Sequence, residues 1–152
     1  QEALDLTGVL FTPEAYGTWK ELIELKPELM FEEILLRFRS GANILASDYI
    51  AGWQKLDQLR ADYYDATSGY DAILMPSSPI LPPNINRLSK DHEYYVNENL
   101  LALRNTRIGN LLGACVLTLP TGTPSCGLMI LCPPMQEHRL LRLGAGIENA
   151  LA

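Results

Sequence analysis

Three short apolar runs constrain this 152-residue chain most: Ala72-Ile73-Leu74-Met75, Cys115 to Leu119 and Leu128 to Leu131. The first has no polar alternation, as expected of a strand buried on both faces. Pro76 closes it, and Thr121-Gly122-Thr123-Pro124 turns the chain between the other two. Around these runs lie stretches with helical spacing. Short, doubly buried strands among helices predict an α/β fold, with layered helices around a small mixed sheet. About three strands are too few to be covered easily on both faces, so the missing strands are expected upstream, in a larger protein.

The helices follow from period and punctuation. Residues 1–10 show no strong period and read as a lead-in. Residues 11–68 read as helical. Thr12-Pro13-Glu14 has the residue types of a helix start, followed by a stripe of Trp19, Leu22 and Ile23. Pro27 interrupts it. A second helix is expected from Glu28 to Arg39, stopped by Ser40-Gly41. The longest candidate spans roughly Ala46 to Thr67, with Tyr49, Trp53, Leu56, Arg60 and Tyr63-Tyr64 at intervals of three to four. Residues 69–152 supply the strands, an irregular Pro-rich stretch from Ser77 to Ser89, a helix from Tyr94 to Leu112 and a terminal helix from about Glu137 to Leu151. Hydrophobic residues make up 47% of the chain and charged residues 20%, enough apolar surface for one packed core.

Charge and cysteine content narrow the functional classes. A net charge of -6 with scattered Arg residues argues against a nucleic-acid partner, because phosphate binding needs clustered cations. No apolar run approaches the roughly 20 residues of a membrane span. The odd count of 3 cysteines, Cys115, Cys126 and Cys132, points to reduced thiols and a cytoplasmic setting.

No complete catalytic set stands out. Pro76-Ser77-Ser78-Pro79 places two hydroxyls after a buried strand, a common position for active-site residues. The plainer reading is a strand-ending turn, since no Lys or His sits near in sequence. The cysteines lie in or beside apolar runs, where a free thiol usually behaves as a small core residue. Their spacing from each other and from His92 and His138 fits no metal site, and no phosphate-cradling loop is present. No cofactor is therefore expected.

Several segments resemble the amidase-signature family. They are Arg104-Asn105-Thr106-Arg107-Ile108-Gly109-Asn110-Leu111-Leu112-Gly113, then Leu117-Thr118-Leu119-Pro120-Thr121-Gly122. Asp71 to Pro76 is similar to the family's buried strand, with Ser77 where Thr is common. Cys126-Gly127-Leu128-Met129 looks like its Gly-Leu-Gln turn, and Leu140-Leu141 with Ile147-Glu148 like its last helix. The order holds over nearly the whole chain. The resemblance implies the C-terminal part of an α/β/α domain that hydrolyses a C–N bond of a small amide. It also implies that the family's Ser, cis-Ser and Lys lie in an N-terminal portion, so that the chain is inactive alone. A stand-alone binding module related to amidases is the second reading, and a hydrolase using Ser77 or Ser78 the third. A half-covered sheet would expose an apolar patch, which a homodimer could cover.

The same resemblance singles out three substrate-binding candidates. Arg37 precedes Ser40-Gly41, where tRNA-coupled members of the family look to hold a substrate carboxylate; a structural Arg on a helix is the alternative. Asn105 and Thr106, with Asn110, line the pocket or brace the turn into the next strand. Leu103 stands where those members have an Asp for the glutamine amino group, which argues against glutamine.

Overall fold

A computed structural model describes residues 1–151. Their contacts form two compact units, Gln1–Tyr63 and the residues from Tyr64 onward.

The first unit is helical. Helix α1 spans Glu2–Asp5 and α2 spans Thr7–Leu25. Residues 1–10 are thus not an irregular lead-in, and Leu10 is fully buried. The helix runs straight through the Thr12-Pro13-Glu14 segment expected to begin it. Pro13 removes one backbone donor, while Thr12 Oγ1 donates to the Gly8 carbonyl 2.6 Å away. Pro27 ends α2 as expected, but Pro27–Leu29 forms a 3-10 turn and α3 spans Glu32–Ser40, so the second helix begins four residues after the expected Glu28. A second 3-10 turn, Gly41–Asn43, packs on α2. Gly41 lies so close to the Thr12 carbonyl that a Cβ there would collide with backbone. Helix α4 spans Ala46–Thr67 and buries Gly52 and Leu56. Beside them the expected stripe is half-buried: Trp53 meets the Tyr49 ring edge-on and carries the Arg60 guanidinium 5.4 Å from its ring centre. Arg39 forks onto both oxygens of Glu24, at 2.9 and 2.6 Å, tying α3 to α2.

The second unit holds the sheet. Strands β1 (Ile73–Pro76), β2 (Cys115–Pro120) and β3 (Gly127–Cys132) lie in the order β1-β3-β2. Both pairings are antiparallel, so the mixed character expected of this sheet is absent among the described residues; β2 and β3 form a hairpin, and β1 aligns with Ile73 opposite Leu131. Helix α8 (Glu137–Leu151) packs on one face through Leu140, Leu143 and Ile147, against Cys115, Leu117, Leu119, Ile130 and Cys132. Leu117 reaches toward Gly144, where a Cβ would clash with it. Helix α7 (Arg104–Leu112) lies against β2, where a Cβ on Gly109 would come within 2.8 Å of Val116. The layered α/β arrangement expected from the apolar runs is therefore present. Only the central strand is deeply buried: β1 lies at the edge of the sheet, and with Leu74 53% exposed it is not covered on both faces.

The Pro-rich stretch after β1 contains one short helix, α5 (Ile85–Leu88), capped by Asn84. The single helix expected from Tyr94 to Leu112 is two, α6 (His92–Ala102) and α7, broken at Leu103. Arg107 explains the break. Its guanidinium donates to the Leu100 and Leu103 carbonyls and so satisfies the end of α6. Gly113, with φ 65°, closes α7, and Tyr64 Oη donates to the Leu112 carbonyl at 3.0 Å. Among the described residues no helix is long and apolar enough to cross a membrane.

Candidate functional site

The second unit converges on the end of β1. Past Pro76 the chain stays in register for one more residue, Ser77, whose N–H donates to the Gly127 carbonyl at 2.9 Å. Ser77 and Gly127 approach closely: a Cβ on Gly127 would lie 2.7 Å from Ser77 Oγ and 3.2 Å from the Thr118 methyl. Ser77 Oγ lies 3.4 Å from Thr118 Oγ1. Ser78 Oγ accepts from the Ile80 N–H at 3.4 Å. A pocket of about 160 Å³ opens here, between Pro76, Ser78 and Pro79-Ile80-Leu81 on one side and Ser125-Cys126-Gly127 on the other.

Asn105 fixes this strand end from the other side. It is 7% exposed, the one buried polar side chain among the described residues, and its Nδ2 donates to the Pro76 carbonyl at 2.8 Å. Its placement follows from α7, which presents Asn105 and Gly109 on its inner face one turn apart. The side chain thus braces the segment that carries Ser77 and Ser78. Its neighbours do otherwise. Thr106 is exposed and its Oγ1 donates to the Leu103 carbonyl at 3.1 Å, and Asn110 is exposed. Arg37 is half-buried on α3 and belongs to the first unit. Asn105 and Thr106 therefore sit side by side on one helix, whereas Arg37 falls in the other compact unit.

The chemistry available at Ser77 and Ser78 is limited by their partners. One hydroxyl meets another hydroxyl and the other meets an amide; neither partner is a base that could take a proton. The thiols divide three ways. Cys126 is exposed at the pocket rim, not tucked into a strand. Cys132 is buried, and that burial pushes its thiol pKa up. Cys115 is half-buried and donates to Glu137 Oε1 at 3.3 Å. Glu137 is held below the ordinary carboxylate range, first by its own backbone N–H at the start of α8 and then by this thiol. No group of three or more His, Cys, Asp or Glu among the described residues could hold a metal ion.

Comparison with known proteins decides the family. The profile described as Amidase matches residues 5–141. The chain belongs to the amidase family. It is 32% identical to the 2-amino-5-chloromuconic acid deaminase of Comamonas testosteroni over 97% of the chain and 33% of that protein. It is 29% identical to the A component of the glutamyl-tRNA(Gln) amidotransferase of Rhodococcus erythropolis over 78% of the chain and 25% of that protein. A crystal structure of an amidase superposes with a TM-score of 0.80 at 21% identity, covering 99% of the chain and 36% of that structure. The chain thus spans about a third of the length of the first relative, and its α/β fold is that of an amidase.

Sequence reasoning named Asn105 as a pocket residue or as a brace of the turn from α7 into β2. Its observed partner is instead the Pro76 carbonyl at the end of β1, a backbone atom that leaves no mark in a sequence. The Ser125-Cys126-Gly127 wall of the pocket was not singled out as a site. Its signal would have been the Pro124-Ser125-Cys126-Gly127 turn, where Ser125 takes a positive φ of 62°.

Proposed function

We propose that this chain acts as the C-terminal part of a longer amidase that hydrolyses a C–N bond of a small amide. The observation that carries the reading is the fold match: almost all of the chain superposes on an amidase, yet it accounts for 36% of that structure. The antiparallel sheet fits this role, because β1 and β2 are both outer strands with edges toward which further strands could add. The nucleophilic serine and its lysine base would come from the N-terminal portion of the same protein. This chain would contribute three strands, the braced turn after β1 and part of the substrate wall. Asn105 would act by positioning that turn. Thr106 Oγ1, which donates its hydrogen to the Leu103 carbonyl, would meet substrate as an acceptor, and Arg37 would hold an anionic or carbonyl group through its planar fork. By itself the chain would be inactive on amides and would cover its exposed apolar surface by self-association.

The relatives favour a substrate with amino-acid character, since one is a deaminase of an amino-bearing acid and others are components of amidotransferases. The test is ammonia release from small amides, measured for the chain alone and for a polypeptide that places the family's Ser/Lys segment ahead of it. Turnover confined to the longer polypeptide is expected. Comparable turnover by the chain alone, lost in Ser77→Ala or Ser78→Ala, would replace this reading with a hydrolase centred on the β1 turn.

A further inference from the structure

Cys115 and Cys132 stand directly opposite one another on the neighbouring strands β2 and β3. Both belong to the face packed against α8, where Cys132 is core and Cys115 lies against that core, so the two side chains share one side of the sheet. Directly opposed residues of antiparallel strands have Cα atoms about 4.5–5.5 Å apart. A disulfide accepts about 4.4–6.8 Å. The Cα separation of such a pair is therefore compatible with a disulfide. Cβ atoms across such a pair sit about 4.5–5.5 Å apart, at or beyond the upper end of the roughly 3.5–4.5 Å that a relaxed disulfide adopts. A bond formed here carries some strain and is easily reduced again.

We propose that Cys115 and Cys132 form a reversible cross-strand disulfide, made by thiol–disulfide exchange with a low-molecular-weight disulfide such as oxidised glutathione. Cys115, half-buried, is the point of entry, and Cys132, at 2% exposure, resolves. The Cys115 thiolate attacks one glutathione sulfur, forming a mixed disulfide and expelling one glutathione thiolate. The Cys132 thiolate then attacks Cys115 Sγ and expels the second. Two thiol protons pass to solvent, two electrons pass to the reagent, and one disulfide bond replaces another. Cys115 gives up its S–H bond to Glu137 in the process. The new bond ties the first residue of β2 to the last residue of β3, at the open end of the hairpin. It joins the point where α7 leads into the sheet to the point where β3 leads through Pro133-Pro134 into α8. Cys126, exposed on the turn at the other end of the hairpin, faces neither thiol across the ladder.

The experiment uses the folded chain carrying Cys126→Ser, a change at an exposed position. It is treated with oxidised glutathione without denaturant, then unfolded, and the remaining thiols are blocked with N-ethylmaleimide before trypsin. No Lys or Arg lies between Arg107 and Arg139, so both cysteines fall in one peptide. That peptide should be unblocked and lighter by two hydrogen atoms than the dithiol, and dithiothreitol should restore both thiols. A Cys115→Ser/Cys126→Ser chain should leave Cys132 blocked and free of glutathione, because a buried thiol without its partner does not react. The wild-type chain, digested with chymotrypsin on both sides of Cys126, should show the same Cys115–Cys132 link and so covers any folding defect in the variants. Glutathione retained on Cys115 with Cys132 blocked, or both thiols blocked, would overturn the proposal.

Discussion

The brace from Asn105 to the end of β1 can be removed while keeping the branched skeleton of the side chain. Asn105→Leu keeps four heavy atoms branching at Cγ, with bulkier methyl ends, and deletes the donor that reaches the Pro76 carbonyl at 2.8 Å. A neutral hydrogen bond contributes about 0.5–1.5 kcal/mol net, and leaving its buried partner without a donor costs about 1–3 kcal/mol. For a chain of this size each kcal/mol moves the melting temperature by about 2–4 °C, so a cost of about 1–3 kcal/mol should lower the melt by about 2–12 °C. Asn105→Asp sharpens the test. At neutral pH it sets a carboxylate against a carbonyl, with two acceptors and no donor. Burial and that repulsion raise the folded-state pKa of the new acid above its unfolded value. The native state then prefers the protonated form, so this variant gains stability relative to wild type as the pH falls toward the unfolded carboxyl range and the acid donates to Pro76. Thermal melts followed by far-UV circular dichroism at two pH values read both effects. Amide exchange at Ser77, whose N–H is bonded to the Gly127 carbonyl, reads the local loosening. A Leu variant that melts with wild type and keeps its Ser77 protection would refute the bracing role, as would an Asp variant whose deficit does not shrink in acid.

Three other changes probe separate parts of the structure. Gly41→Ala should destabilise the first unit by about 3 kcal/mol or more, visible as a lowered melt, because its Cβ meets the Thr12 carbonyl and backbone cannot step aside as a side chain could. Asp91 caps α6 by accepting from the Tyr94 N–H at 2.9 Å, and that bond, followed by Arg87, holds its pKa down. A depressed carboxyl stabilises the fold above its unfolded pKa and loses that contribution as the pH falls through the folded value, so exchange at the Tyr94 amide should quicken only in acid below the ordinary Asp range. In the longer enzyme, Arg37→Lys should lose about 1.5–3 kcal/mol of transition-state binding for substrates bearing an anionic group, nearly as much as Arg37→Ala; kcat/KM over a panel of amides measures it.

How much of this was legible depended on where the signal lay. Helices α4 and α8 could be read almost to the residue, because Ser68-Gly69 ends the first and an unbroken Leu and Ile stripe sustains the second. The start of α2 could not. Pro13 has the signature of a first turn, yet the helix passes through it with Leu10, buried, already inside. The break between α6 and α7 carries neither Gly nor Pro; Arg107 makes it by donating to the carbonyls of the preceding turn, a long-side-chain contact that spacing does not encode. The hydrophobic run at β1 suggested a strand buried on both faces, but burial depends on neighbours, and within these residues β1 has a partner on one side only. At the site, Asn105 and the Ser77-Ser78 turn were each visible as residues. The bond that joins Asn105 to that turn ends on a backbone carbonyl, and the close approach of Gly127 to Ser77 and Thr118 arises from strands brought together by the fold, so neither is written in local sequence.

The most direct measurement of the central claim is where a serine-directed fluorophosphonate attaches. It would be applied to a polypeptide in which the family's Ser/Lys segment precedes this chain, and the labelled peptide identified by mass spectrometry. The account predicts labelling of a serine upstream of Gln1, with Ser77 and Ser78 unmodified and amide hydrolysis abolished in proportion to the label. Stoichiometric labelling of Ser77 or Ser78, matched by loss of activity when that serine becomes alanine, would contradict it.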